Sequence, residues 1–278
     1  MPGPTIRRKQ LGIELRRLRE AAGVSRQEAA AALKCSPARI GHIEVGKNAL
    51  GYAELVVLLR DHYGADDLTL STLEELRQEA AKRGWWSTYG LPEWLAGYVG
   101  LEHDASNLRS FEEALIHGLL QTEEYARACY ALDERWSTRE VDRRVAARMQ
   151  RQQRLTGDNP LQLTAVMSET ALVRCANSPV ASNQLRQLLE RAQWTNVELR
   201  VLPLRAGLHV GMAGSFSLLS FPDQLLHDAA YQEYAVGGHV IDDDGVVSQL
   251  DRLFGKLHGQ ALGANESMAL IAELAKRT

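Results

Sequence analysis

The chain has 278 residues, 45% hydrophobic and 24% charged, ordinary for a soluble protein with a real core. No apolar run approaches the roughly 20 residues needed to span a bilayer, and MPGPTIRRKQLG has basic residues with no apolar signal core behind them, so a cytoplasmic protein is expected. The net charge of -3 hides an asymmetry: residues 1–50 hold ten Lys/Arg against four acids, and residues 51–278 hold 22 against 31, the footprint of a polyanion-binding head on an acidic body.

In chain order, the first 70 residues read as consecutive short helices. Leu11, Leu15, Leu18 and Ala22 recur at three- and four-residue steps over Ile6–Ala22, and Gly23 ends the run. Ser25 caps a second helix, Arg26–Leu33, with Glu28 completing a capping box. Ser36 caps a third, with Pro37 at its first position, where a missing N–H costs nothing. That helix ends near Glu44–Val45 before Gly46. A fourth covers about Tyr52–Tyr63, and a fifth, Ser71–Arg83, leaves the domain. Residues 84–100, with three tryptophans and Pro92, read as a packed junction. The expected division is 1–70 as reader, 71–100 as connecting helix and aromatic junction, and 101–278 as a larger domain.

The larger domain mixes element types. Helices are expected at Glu123–Tyr130, Thr138–Leu155, Ser182–Trp194, Asp244–Gly259 and Glu266–Lys276. Strand-like runs occupy Leu161–Met167, Val197–Pro203, Ser215–Phe221 and Ala229–Tyr234. Together they predict an α+β domain with a small sheet of about four or five strands behind a mainly α head.

The stretch from Gly23 to Lys47 meets the demands of a helix-turn-helix. Ala29 and Ala30 are small where two helices must cross closely, and Lys34–Cys35–Ser36 supplies the turn. Ile40 and Ile43 pack inward, leaving Pro37, Ala38, Arg39, Gly41 and His42 outward on a helix short enough for the major groove. Arg39 can bond a guanine bidentately, and His42 can reach guanine or phosphate. Ser25–Gln27 and Ser36–Ala38 bring helix N-termini toward phosphates. Lys47 and Arg16–Arg17 read as phosphate-side or solvated charges.

On these residues, RRLREAAGVSRQEAAAALKCSPARIGHIEVGK followed by LVVLLRDHYG, the head resembles the Xre/phage-repressor helix-turn-helix family, which is lambda-repressor-like in fold. The resemblance implies that Arg19 pairs structurally with Glu44 at the close of the recognition helix. The family usually places glutamine at the first position of the second helix. Here Arg26 stands there with Gln27 next, and either can be the residue that reaches a base.

The body offers no catalytic or metal motif. Its histidines, His103, His117, His209, His227, His239 and His258, lack HxH or HExxH spacing, and Cys35, Cys129 and Cys175 form no CxxC, so neither a metal nor a cofactor is expected. The glycines of 207–214 lack the Lys-Ser/Thr of a phosphate loop and read as a strand connection. Asp242–Asp244 read as a helix start. The chain is therefore expected not to be an enzyme. HGLLQTEEYARA at 117–128, RMQRQQRL at 148–155, AVMSETALVR at 165–174, QLRQLLERAQWTNVELRVLPLRAG at 184–207 and GSFSLLSF at 214–221 make the body similar to actinobacterial Xre-type regulators of the Scr-family antitoxin-like group, with Gly118 and Glu169 at the group's expected positions. That resemblance implies transcriptional control with a small protein partner encoded nearby. Double-stranded DNA and a homodimer are expected, since one helix-turn-helix reads only a few base pairs. The alternative is a sensory domain with a small-molecule pocket lined by aromatics such as Trp85, Trp86, Trp94, Trp136 and Tyr231.

Overall fold

The computed structural model describes residues 3–222 and 227–278. The chain divides into two compact units, Met1–Ser87 and Thr88–Thr278, each with its own core.

The N-terminal unit is all helical. Helix α1 (Pro4–Ala21) starts with Pro4, two residues earlier than the apolar pattern marks it. It is followed by α2 (Arg26–Ala32), α3 (Pro37–Glu44), α4 (Tyr52–Val56), which runs on into a π-helical turn (Val57–His62), and α5 (Asp67–Ala81). Asp66 caps α5 by accepting from the Thr69 N–H at 2.8 Å, so that helix begins four residues before Ser71. Leu11, Leu15, Ala29, Ala30, Ile40, Ile43, Leu55, Leu58 and Leu59 form one buried cluster.

The C-terminal unit is built on a six-stranded mixed sheet, in order β3-β2-β1-β4-β5-β6. The strands are β1 (Asn107–Glu112), β2 (Gln162–Ser168), β3 (Val197–Leu202), β4 (Phe216–Ser220), β5 (Ala229–Tyr234) and β6 (Gly237–Ile241). Strands β1, β2 and β3 run parallel; β4, β5 and β6 continue antiparallel from β1. The sheet therefore has two strands, β1 and β6, beyond the four recognised by pattern. Central β2 is apolar on both faces, with Leu163, Ala165, Val166 and Met167 all buried, as a parallel strand covered on two sides requires.

The helices are α6 (Glu93–Asp104), α7 (Glu123–Ala131), α8 (Thr138–Gln152), α9 (Glu169–Ala176), α10 (Ala181–Arg191), α11 (Asp244–Gln260) and α12 (Ala264–Ala275). Helix α11 lays Val247, Leu250, Phe254 and Leu257 on Phe111, Val166, Phe216 and Leu218 of one sheet face. Asp243 caps it through the Val246 N–H at 2.9 Å, which accounts for the acidic run before it. Edge strand β3 is closed off by α12: Leu262 N–H donates to Val201 O at 2.8 Å, and Val201 N–H donates to the buried Ser267 Oγ at 3.0 Å. Residues 203–215, which include the glycine-rich 207–214 stretch, join β3 to β4 through two 3-10 turns, Leu204–Ala206 and Val210–Ala213.

The segment 117–122 is buried without forming a strand or a long helix, so its backbone needs side-chain partners. Glutamines supply them. Gln184 accepts from Thr122 N–H and donates to Leu120 O, both at 2.8 Å, Gln152 donates to Gln121 O at 2.6 Å, and Gln121 donates to Ile116 O at 2.7 Å. The sequence blocks at 117–128, 148–155 and 184–207 thus meet at one place. Among the described residues no helix is long and apolar enough to cross a membrane, and no His/Cys/Asp/Glu group could hold a metal ion.

Candidate nucleic-acid interface

Local chemistry starts each of the two interface helices. Ser25 Oγ accepts from Glu28 N–H at 3.2 Å while Glu28 Oε2 accepts from Ser25 N–H at 2.7 Å, a reciprocal cap on α2. Ser36 Oγ accepts from Arg39 N–H at 3.3 Å, and Pro37 opens α3. Between them Lys34 takes φ of 51°, left-handed backbone that ordinarily favours glycine, and Cys35 N–H donates to Ala30 O at 2.9 Å. The crossing is close, with Ala29 and Ala30 buried.

Helix α1 fixes the rear of α3. A Cβ added at Gly12 would lie 2.5 Å from the Glu44 carbonyl oxygen and 2.6 Å from that of Ile43. Only glycine lets the α1 backbone approach so near. The sequence periodicity marked the leucines of α1 and passed over this residue.

Arg19 and Glu44 do pair. Arg19 Nε donates to Glu44 Oε1 at 2.5 Å and Nη2 to Oε2 at 3.3 Å, with the arginine side chain 8% exposed and the glutamate 2%. Arg19 Nη1 also donates to Val24 O at 2.9 Å, closing the loop before α2. The hydrogen bond from Arg19 to Glu44 outweighs burial and pushes the guanidinium pKa further up. Arg26 is a third member: its Nε donates to Glu44 Oε2 at 2.9 Å.

Arg39 is the residue whose surroundings the sequence least foretold. Its Nη1 and Nη2 donate to Glu54 Oε1 and Oε2 at 2.7 and 3.1 Å, while the same Oε2 accepts from Gly51 N–H at 2.9 Å. The Arg39 hydrogen bonds hold the Glu54 carboxyl below the usual carboxylate range. The fork that would grip a guanine grips a carboxylate in the free protein.

Other expected contacts are open to solvent. Ser36, Pro37, Ala38 and His42 are exposed on α3, Gln27 on α2, and Lys47 just beyond α3. Arg16, Arg19, Glu20, Arg26, Gln27, Pro37 and Ala38 line a shared depression, so α1 and the starts of α2 and α3 converge on one face. Arg16 there is paired with Glu20 at 2.8 Å, and Arg17 elsewhere on α1 with Glu14 at 2.9 Å, which tempers the positive charge.

A separate concavity lies inside the C-terminal unit: a cavity of about 410 Å³ lined by Tyr98, Glu112, Arg148, Arg151, Tyr231 and Glu233, among others. Tyr98 and Tyr231 stack with centroids 4.1 Å apart. Arg151 forms a buried bidentate pair with Glu102, both bonds 2.7 Å. Burial alone would raise the Glu102 carboxyl, but Arg151 holds it down. Burial keeps His117 neutral, its pKa pushed down to about 3. Burial first, and Glu233 second, push the Glu112 carboxyl up to about 8. Of the five aromatics named above, Tyr231 lines this cavity; Trp94 and Trp136 belong to the same unit without lining it, and Trp85 and Trp86 belong to the N-terminal unit. Glu112, in a strand the pattern missed, carried no sequence signal.

Comparison with known families gives two matches. The model described as a helix-turn-helix domain matches residues 10–73, and the model described as a domain of unknown function, DUF5753, matches residues 95–273. No curated protein and no solved structure matches the chain significantly. The first match makes the N-terminal unit a helix-turn-helix DNA-binding domain and the chain a DNA-binding regulator.

Proposed function

This chain belongs to the DUF5753 family, with a helix-turn-helix domain ahead of that region, and from that premise we propose that it is a sequence-specific transcriptional regulator of Xre type, in the Scr-family antitoxin-like group of actinobacterial regulators. The observation that carries this reading is α3 itself: capped by Ser36, opened by Pro37, anchored at its far end through Glu44, and exposed at Pro37, Ala38 and His42. Such a helix enters the major groove with its N-terminal side chains toward base edges. Arg39, once exchanged from Glu54 to guanine, is its leading reader; His42 and Lys47 contact the groove edge or phosphates. Arg26 is occupied by Glu44, so Gln27 is the base contact from α2.

The protein acts as a homodimer in the cytoplasm, because two-fold pairing doubles a short footprint. We assign it no catalytic step. A small protein partner relieves or promotes DNA binding through the C-terminal unit; the β3–β4 connection, with Leu204, Leu208, Val210 and Met212 exposed, is an apolar surface suited to one. The 410 Å³ cavity favours a second reading, in which that unit senses a small molecule.

Selection of bound sequences from random duplexes by the full chain tests the main reading. Enrichment of a two-fold-symmetric site that loses one specified base position in Arg39→Ala is expected. A small polypeptide co-purifying with the chain and shifting operator affinity supports the partner; a retained metabolite in native mass spectrometry supports the second reading.

A further inference from the structure

We propose that the cavity of the C-terminal unit binds a small organic ammonium ion, held by the carboxyl groups of Glu112 and Glu233 against the Tyr98–Tyr231 pair. The proposal gives the ligand-sensing reading its ligand class.

With every carboxyl ionised, Glu102, Glu112 and Glu233 set three negative charges against the two positive ones of Arg148 and Arg151, so the site is one positive charge short. Both arginines of the cavity wall already have partners, and His117 is neutral. Arg151 is matched by Glu102. Arg148 donates through Nη1 to Gln121 Oε1 at 2.7 Å and through Nη2 to the Tyr130 hydroxyl, and its guanidinium lies 4.9 Å from the Tyr130 ring centroid. Its Nε has no partner but is closed off from solvent, out of reach of a molecule in the cavity. The two carboxyl groups are in the opposite condition. Neither Glu112 nor Glu233 has an ion-pair partner among the described residues. Glu112 lies near the Ser215 hydroxyl, which accepts from Glu113 N–H at 3.0 Å, and Glu233 Oε2 accepts from the Tyr231 hydroxyl at 3.4 Å. Without a ligand a proton on Glu112 supplies the missing positive charge, and a cationic ligand can take its place.

The walls decide which kind of cation. Tyr98 and Tyr231, with Leu95, Ile116 and Phe216, give the cavity an aromatic and apolar wall, which suits an ammonium carried on a carbon body. A bare divalent ion needs six or more oxygen ligands for calcium, or an octahedral set for magnesium, and no group of three metal-type side chains is present among the described residues. The volume of about 410 Å³ matches pockets for small organic ligands, roughly 300–1,000 Å³.

Binding then moves a proton. Without a ligand the Glu112 carboxyl, pushed up to about 8, is mostly protonated at pH 7. Tyr98 and Glu102 on α6, His117 before α7, Arg148 and Arg151 on α8, and Tyr231 and Glu233 on β5 surround it. An ammonium ion placed beside Glu112 takes over the neutralising role, so the O–H bond of the carboxyl breaks and its proton passes to solvent while the ligand keeps all of its own. Affinity must therefore rise with pH up to about 8, by at most about tenfold per unit, while an alkylammonium, with a pKa of about 10, stays charged.

Calorimetric titration of the full chain with 2-phenylethylammonium and with 1,4-diaminobutane, at pH 6.5 and 7.5 in two buffers of different ionisation enthalpy, tests this. At least one amine should bind, with close to one proton released and several-fold tighter binding at pH 7.5. Glu112→Gln mimics the neutral carboxyl, so it should fold, bind more weakly and release no proton. Glu233→Gln, on the exposed rim, should weaken binding and reduce but not abolish the proton release, because burial remains the larger cause of the raised Glu112 carboxyl. Binding of 3-phenylpropionate in place of both amines, or no heat from either amine, overturns the proposal. Operator affinity measured alongside separates the two ideas: an anion that binds and alters it removes the ammonium and keeps sensing, and an amine that binds without altering it keeps the ammonium and removes sensing.

Discussion

The guanidinium of Arg39 on the recognition helix is gripped at both terminal nitrogens by the carboxylate of Glu54, at 2.7 and 3.1 Å. A base-reading arginine in this position must exchange one planar, two-oxygen partner for another when DNA arrives, because guanine O6 and N7 present nearly the same fork. The intramolecular pair thus competes with DNA while keeping Arg39 in a ready geometry.

Replacing Glu54 by Gln removes that competitor. Glu54→Gln should tighten binding to DNA, with the larger gain on a site carrying the guanine that Arg39 contacts. Arg39→Ala should cost about 1–3 kcal/mol at that single position, and in the Arg39→Ala, Glu54→Gln double variant the guanine-specific gain should vanish. Fluorescence anisotropy on a matched and a single-mismatch duplex checks all three. Weaker binding by Glu54→Gln would mean that Glu54 holds Arg39 in place for DNA instead of competing with it.

The Arg19–Glu44–Arg26 cluster predicts stability effects of unequal size. Arg19→Ala strands a nearly fully buried carboxylate with one partner left, and breaking such a pair costs about 3–5 kcal/mol. Arg26→Ala removes an arginine whose side chain is 45% exposed and should cost under about 1 kcal/mol. Thermal unfolding of the full chain followed by circular dichroism should rank Arg19→Ala far below Arg26→Ala, and folded Arg19→Ala should keep its sequence preference.

Gly12→Ala tests the seat of the recognition helix. The new methyl would sit 2.5 Å from a backbone oxygen, and backbone cannot swing aside as a side chain can. A destabilisation of about 1–3 kcal/mol is expected, against the usual gain from replacing a helical glycine by alanine. A melting midpoint unchanged or raised in Gly12→Ala would show that α1 and α3 are not in such close contact.

Much of the head was legible in the sequence because its signals are local: Ser25 with Glu28, Ser36 with Pro37, and the inward pair Ile40 and Ile43 each lie within one or two helical turns. The Arg39–Glu54 pair was not, since Glu54 lies fifteen residues away and its placement depends on how α4 packs. In the body, β1 was hidden by a buried Ser110 and by Arg109 and Glu112, which break the apolar alternation, and β6 by its two leading glycines. Helix α6 was hidden by Gly97 and Gly100 in an aromatic stretch that reads as a junction. The charges that matter most in the cavity, Glu102 with Arg151 and Glu112 with Glu233, are long-range pairings without periodic trace.

Glu112 also predicts a pH dependence of stability. Its folded pKa is raised to about 8 from an ordinary 4.5 by burial and then Glu233, so the folded state binds more protons than the unfolded state across that window. Stability from this group is fully present below about 4.5 and lost as pH rises toward 8. His117, with its folded pKa lowered to about 3 by burial, acts in the other direction, losing stability as pH falls below its ordinary 6.5. Between pH 6.5 and 8, then, Glu112 is the active one of the two: denaturation midpoints of the wild-type protein should fall, and those of Glu112→Gln should stay flatter.

Whether α3 reads DNA is decided by selecting sites from a random duplex library with the full chain and with Arg39→Ala in parallel, then measuring affinity for the selected site across a salt series. One enriched, two-fold-symmetric motif is expected, with loss of a single guanine position in each half-site for Arg39→Ala and affinity that falls steeply with salt as phosphate contacts release counterions. An absence of enrichment, or an identical motif from both proteins, would contradict DNA reading by α3.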